Sequence, residues 1–420
     1  MSALLQPLGR PLNWTVGLPL PVTLFVAAAG LRLSAFAVFY FGSVLQGHHG
    51  LVDPFDSVVI DRWAWYVAEH LRAGTLVDVR SSALEGTWDV GFTYLVAFEY
   101  TLVGHHPEVA RGFNCLLAAI TAPASYVASR QAGLSEKVSA RAGWLVVCWP
   151  LSLYWTGFDL LKDPLVWFAL SWALLAITAA GSTRRTMIGG LAAGSLYLVR
   201  NYMGPVTAVL VLVVGVLKRD WRSVIATLGV LAVIEAALLA AGFPGVWAIG
   251  PVETNGQATT SGSPSLGCNE SGSGAACGQD TTFSQKGIAL RFAVGVPTVL
   301  FGPGLKPLKD FLHPTLDWGM YPGLLVWMAL IPFAVLGLWR VFRRREVMLW
   351  GIALLAATIW GVLAVAYAGH ALRQREMAFP AILILTSFGL ERPRPRAWWP
   401  LYSLYWVAAL GGLAWEAGLV

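Results

Sequence analysis

The chain has 420 residues, 56% of them hydrophobic and 12% charged, with a positive mean hydropathy and a formal net charge of +6. So apolar a composition describes a bundle of membrane-crossing helices and excludes an ordinary soluble domain. The basic residues sit in short clusters between apolar runs, as in cytoplasmic loops, which argues for membrane lipids and against a nucleic-acid partner.

Residues 1–17 carry a single charge, Arg10. The first apolar run, roughly 18–41, is long enough to span and lacks a small-residue cleavage site, so it reads as a retained helix. Arg32 lies inside it, where a charge is expected to face the bundle interior. The stretch from Asp53 to Asp89 then breaks the apolar pattern. It opens Asp53-Pro-Phe-Asp56 and continues Asp61-Arg-Trp-Ala-Trp-Tyr66 toward Gly74. Asp61 is read as heading an amphipathic helix, with Trp65, Ala68 and Leu71–Arg72 at helical spacing. Such a helix lies along a membrane face.

Basic loops at Arg130–Arg141, Arg184-Arg185, Lys218–Arg222, Arg343–Arg345 and Arg392–Arg396 belong to the cytoplasmic side. With the N-terminus inside, an odd number of spans must separate loop 42–89 from Arg130–Arg141. Run 111–129 supplies one. Run 91–104 is short, contains Glu99 and ends in His105-His106-Pro107, so it reads as a re-entrant or interfacial helix. Further spans are expected at 142–157, 164–180, 187–199, 203–217, 223–243, 319–341, 347–368, 377–390 and 398–418. Segment 288–304 is too short and Gly/Pro-broken, and stays outside. The expected fold is an all-α integral membrane protein, a single domain over 1–420 with about eleven spans. The C-terminus is outside.

This topology gathers polar residues on the outer side. Asp53, Asp56 and Asp61 are candidate general bases for a hydroxyl, since a partly desolvated carboxylate near aromatics can take a proton. The connection Phe158–Asp163 holds Asp159, Lys162 and Asp163. Asp163-Pro164 has the form of a helix cap followed by proline at the first position. Arg200 ends one span, and His370, Arg373 and Arg375 precede another. Cationic residues on the outer side run against the charge bias, and paired hydrogen bonds to a phosphate give them a reason. Glu235 lies inside a span and is expected to face the interior. Cys115 and Cys148 fall in apolar helices as core residues. Cys268 and Cys277, in the long outer loop 244–318, are expected to form a disulfide. No P-loop, dinucleotide fingerprint, HExxH or Cys/His metal spacing occurs.

The order of these pieces resembles the GT-C superfamily of polyprenyl-phosphate-sugar glycosyltransferases, which includes protein O-mannosyltransferases and lipid A aminoarabinose transferases. The residues that carry it are Arg32, then Asp61…Tyr66…Leu71…Gly74, Gly104, Arg111, Pro150, Leu161-Lys-Asp163-Pro, Leu-Val-Arg200, and Arg373-x-Arg375 followed by Pro380. An acidic pair four residues before the Tyr is usual in that family. Here Asp61 is followed by Arg62 and stands five before Tyr66, so Asp61, Asp56 and Asp53 all stay open as the equivalent carboxylate. Without the pair, a divalent metal is not expected, nor is another cofactor.

The resemblance implies an inverting transfer at the outer face of the cytoplasmic membrane, from a polyprenyl-phosphate sugar to a glycan, lipid or protein hydroxyl of the envelope. Arg200, Arg373, Arg375 and Lys162 would hold the donor phosphate, and Asp61 would take the hydroxyl proton. Asp159, Asp163, His370 and Tyr66 would support them. Two alternatives are a polysaccharide polymerase or ligase with a lipid-diphosphate donor, and a secondary transporter.

Overall fold

The computed structural model describes residues 19–45, 56–75, 77, 90–179, 183–200, 203–240, 320–344, 346–367, 376–391 and 398–416. The expectations placed on Asp53, Asp89, His370, Arg373, Arg375, Cys268, Cys277 and the loop 244–318 lie outside these residues. For Asp56 only the backbone is described. Among the described residues every regular element is a helix, and there is no strand.

In chain order the α-helices are α1 (Leu20–Leu45), α2 (Asp56–Arg72), α3 (Val90–Val103), α4 (Pro107–Ala119), α5 (Thr121–Gln131), α6 (Glu136–Val147), α7 (Pro150–Phe158), α8 (Asp163–Thr178), α9 (Thr183–Val199), α10 (Met203–Leu217), α11 (Trp221–Ala240), α12 (Met320–Arg344), α13 (Val347–Tyr367), α14 (Phe379–Gly389) and α15 (Trp398–Glu416). A short 3-10 turn, Glu376–Ala378, leads into α14. Two stretches, Leu20–Leu45 and Leu325–Arg344, are each long and apolar enough to cross a membrane. Asp163–Thr178, Met187–Val199, Met203–Leu217, Val347–Gly361 and Phe379–Gly389 are apolar but shorter.

Two expected single spans are broken, and proline is the cause in both. Run 111–129 is α4 followed by α5, with the break at Ile120. Pro123 has no N–H to offer the Ala119 carbonyl, so the helical hydrogen-bond ladder is interrupted at this turn. Run 142–157 is α6 followed by α7, with Cys148 and Trp149 between them and Pro150 opening α7. Pro150 deprives the Val146 carbonyl of its usual helical donor. Arg32 of α1 takes that role. It is fully buried, donates from Nη2 to Val146 O at 3.2 Å and to Ser152 Oγ at 3.0 Å, and from Nη1 to Ala28 O at 3.3 Å. At the other end of α7, buried Arg111 donates from Nη2 to the carbonyls of Gly157 at 2.8 Å and Phe158 at 3.0 Å. Thus α7 is held at both ends by arginines from α1 and α4. Gly157 lets it lie close to α1, because a Cβ there would come within 2.9 Å of the Ala35 backbone.

The centre of the bundle is aromatic. Trp149, Trp167, Trp327 and Phe379 are at most 1% exposed. Trp149 and Trp167 both meet the Phe379 ring, and Trp327 packs on Trp149 and Trp360. All of α14 is buried. Its C-terminal part crosses α12 backbone to backbone: a Cβ on Gly337 would collide with the Leu385 carbonyl, and one on Gly389 with the Phe333 carbonyl.

The two ends of the bundle differ in charge. At one end Lys218 donates to the carbonyls of Ile177 and Ala179, Arg130 to that of Leu134, and Arg340 to those of Phe388 and Glu391. Cations there satisfy carbonyls at helix C-termini. At the opposite end lie the C-termini of α7 and α9 and the N-termini of α4, α8 and α10. Helix α3 begins and ends at this second end. Gly91 sits against Leu198 near the C-terminus of α9, with a Cβ–Cβ approach of 2.6 Å for any larger residue, and α3 leads directly into α4.

Cys115 is buried, as expected. Cys148 is exposed at the C-terminal cap of α6, because the break before Pro150 turns it out of the core. Glu235 is half-buried on the side of α11 that faces Tyr197 of α9.

Candidate functional site

Helix α2 owes its position to the stripe Ile60, Ala64, Val67 and Ala68. These side chains are buried, as are Phe92, Val96, Ala97 and Tyr100 of α3, against which α2 packs. The helix begins at Asp56, so Asp61 stands in its second turn. It does not head the helix as expected, and the helix dipole gives it no special support. Its partners come from α3 and the following turn instead.

Three side chains meet at Asp61. The Tyr100 hydroxyl donates to Asp61 Oδ1 at 2.5 Å. The Nε2 of His105 lies 3.0 Å from Oδ1 and 3.1 Å from Oδ2. Trp65, one turn along α2, stacks on the His105 ring with centroids 4.7 Å apart and planes at 21°. Tyr100 meets the same ring edge-on at 5.1 Å. Behind Trp65, the Arg72 guanidinium sits 5.0 Å from the indole centroid and donates to the Tyr100 carbonyl. Burial, reinforced by the hydrogen bond to Asp61, pushes the Tyr100 phenol well above its ordinary value, so Tyr100 is a permanent donor here. The turn that delivers His105 depends on Gly104, at φ +98 in the left-handed region that favours glycine. Tyr66 lies on a different face of α2, exposed and packed on His70. Neighbouring Glu99 is pushed up to about 7 by burial.

A second group stands in the α7–α8 corner. Asp159 Oδ1 accepts from the Leu160 N–H at 2.8 Å, and Asn114 of α4 donates to the Leu161 carbonyl at 2.9 Å. Lys162, half-buried, is the residue at the cap position of α8. Asp163 is therefore not the cap. It is the first helical residue, and its Oδ1 accepts from Arg200 Nη2 at 2.9 Å. Asp163 is fully buried and Arg200 is 4% exposed. The expected phosphate ligand Arg200 is thus already charge-compensated. The two groups share one end of the bundle, because the start of α3 rests on Leu198, two residues before Arg200.

Neither a protein-family model nor a curated protein matches the chain. The site is therefore read from its own chemistry. Among the described residues no cluster of three or more His, Cys, Asp or Glu side chains is arranged to hold a metal ion. What the Asp61 cluster offers is an acceptor for a proton, with a carboxylate to balance the resulting charge.

Sequence reasoning found Asp61 and counted Arg111 in the family pattern without a role, but singled out neither Tyr100, His105 nor Asn114 as a site residue. A signal was present for one of them. His105 follows a glycine and precedes His106-Pro107 on the same expected face as Asp61, and imidazole is the side chain best suited to proton transfer near neutral pH. Arg111 and Asn114 act on backbone carbonyls, which sequence spacing does not reveal.

Proposed function

We propose that the chain is a polytopic membrane glycosyltransferase of GT-C type. It moves a sugar from a polyprenyl-phosphate donor to an acceptor hydroxyl at the outer face of the cytoplasmic membrane, with inversion. The observation that carries this reading is the Asp61–His105–Tyr100 cluster at the end of the bundle opposite the basic end. Cytoplasmic loops retain Lys and Arg, so the basic end is the inner one and the cluster faces outward.

Other features support the same reading. On this reading the helices that pass between the two ends are α1, α4 with α5, α6 with α7, α8, α9, α10, α11, α12, α13, α14 and α15, whose ranges are those given above. Among the shorter helices, α4 and α5 and likewise α6 and α7 follow one another across a break, and α14 is wholly buried. In the transfer, the Asp61 cluster removes the acceptor proton while the hydroxyl oxygen attacks the anomeric carbon. The donor phosphate leaves with the bonding electrons, so no general acid is required. Arg373, Arg375 and Lys162 supply its counter-charge. Arg200, held by Asp163, places a further guanidinium at the same end of the bundle.

The test is donor consumption by the protein in lipid nanodiscs, followed by mass spectrometry over a panel of polyprenyl-phosphate sugars with envelope extract as acceptor. Wild type is expected to consume one donor, with the rate falling about 100-fold or more in Asp61→Asn and sharply in Arg373→Ala. A folded wild type that consumes no donor of the panel removes this reading.

A further inference from the structure

Resting on that reading, we infer that His105 accepts the proton of the attacking hydroxyl, and that Asp61 is the residue that positions it. The bonds around Asp61 lead to this division of labour. Oδ1 receives the Tyr100 hydroxyl and both oxygens face His105 Nε2, so the carboxylate lone pairs on this side are already committed. Because a carboxylate accepts, His105 must carry its proton on Nε2. The neutral ring then has its lone pair on Nδ1. Among the described residues no hydrogen bond reaches Nδ1, and the side chain is 41% exposed while Asp61 is 14% exposed. The nitrogen that carries the lone pair is thus the one that Asp61 does not engage.

The ring is also fixed in place, as a proton acceptor must be. Trp65 covers one face at 4.7 Å, Tyr100 borders it at 5.1 Å, and Gly104 and Pro107 bracket the backbone. In the reaction the hydroxyl proton passes to Nδ1 as its oxygen bonds to the anomeric carbon. The bond from that carbon to the phosphate oxygen breaks, and its electron pair leaves on the phosphate. The imidazolium so formed sits against the Asp61 carboxylate, and Tyr100 keeps that carboxylate oriented.

A purely structural His105–Asp61 pair, tying α2 to the start of α4, predicts different behaviour. His105→Gln separates the two, because the Gln amide can still donate to Asp61 but cannot take a proton. Transfer is expected to fall about 100-fold in His105→Gln with the thermal midpoint held, and added imidazole is expected to restore His105→Ala at least about tenfold. An active wild type with His105→Gln within about threefold of it overturns the assignment and leaves Asp61 as the base. An inactive wild type instead marks failure of the donor reading. A readout without donor completes the test. Diethyl pyrocarbonate should modify His105 readily in the folded protein, and a His105 that resists it while exposed histidines react also overturns the assignment.

Discussion

Arg32 donates to the carbonyl of Val146, the acceptor that Pro150 leaves without its i+4 donor. A cation in the first helix thereby repairs a break some hundred residues later, and the two features are coupled. Arg32→Met should destabilise the protein by about 1–3 kcal/mol, because the buried Val146 carbonyl would be left with the long 3.5 Å contact from the Trp149 N–H. Pro150→Ala restores an N–H at position 150. In that background the cost of Arg32→Met should shrink, a coupling that thermal unfolding of the four proteins in detergent would measure.

The Asp163–Arg200 pair gives a second coupling. Both side chains are buried at 2.9 Å separation, so removing one partner strands a charge. Arg200→Met alone should cost about 3–5 kcal/mol, and Asp163→Leu with Arg200→Met should recover much of it. Donor consumption should not return with the stability, which separates the structural task of the pair from its task at the phosphate.

Helices α12 and α14 are predicted to tolerate no side chain at their crossing. Gly337→Ala and Gly389→Ala each place a methyl group into a backbone carbonyl and should lower stability by about 1–3 kcal/mol, at the upper end because a backbone cannot move aside as a side chain can. Gly30→Ala is the control. Nothing lies within 4 Å of its added carbon, and alanine is the better helix former, so the midpoint should hold or rise.

Glu99 predicts a pH dependence of stability. Burial raises its folded-state pKa to about 7 from an ordinary 4.5. The folded chain therefore prefers the neutral acid. Its contribution is fully present below pH 4.5 and is lost as pH rises through 7. Glu99→Gln should be more stable than wild type at pH 8 by about 1–2 kcal/mol, a figure reduced for solvent screening, with the gap closing in acid. Equal pH profiles for the two proteins would count against it.

The sidedness of the bundle can be read with cysteines introduced into a background lacking the native four. Thr75 follows α2 and Lys137 opens α6, and both are exposed. Thr75→Cys should react with a membrane-impermeant maleimide in intact cells, and Lys137→Cys only after permeabilisation.

Much of the helix layout was legible in the sequence, because apolar length and the placement of Arg and Lys are local properties. The expected segments 203–217 and 347–368 and the helices Met203–Leu217 and Val347–Tyr367 nearly coincide. The breaks at Ile120 and Pro150 were readable in principle from Pro123 and Pro150, but apolarity alone ran both helices together. The site was half legible. Asp61 stood out as an acidic residue among aromatics, whereas Tyr100 looked like one more apolar residue in a short run. Asp163 looked like a cap because Asp-Pro is a common cap sequence, and only the approach of Arg200 from another helix reveals its other partner.

The two arginines that hold α7 also bear on the order of assembly. Emerging alone into lipid, α1 would carry a guanidinium with no partner except the nearby Ala28 carbonyl. The Val146 carbonyl and the Ser152 hydroxyl are synthesised over a hundred residues later. On the proposed membrane reading, the N-terminal helix gains these two partners only once α6 and α7 have been made. Synthesis halted before Ser152 should leave a loosely inserted fragment, open to degradation, while chains extended past Phe158 gain the Arg111 clasp as well.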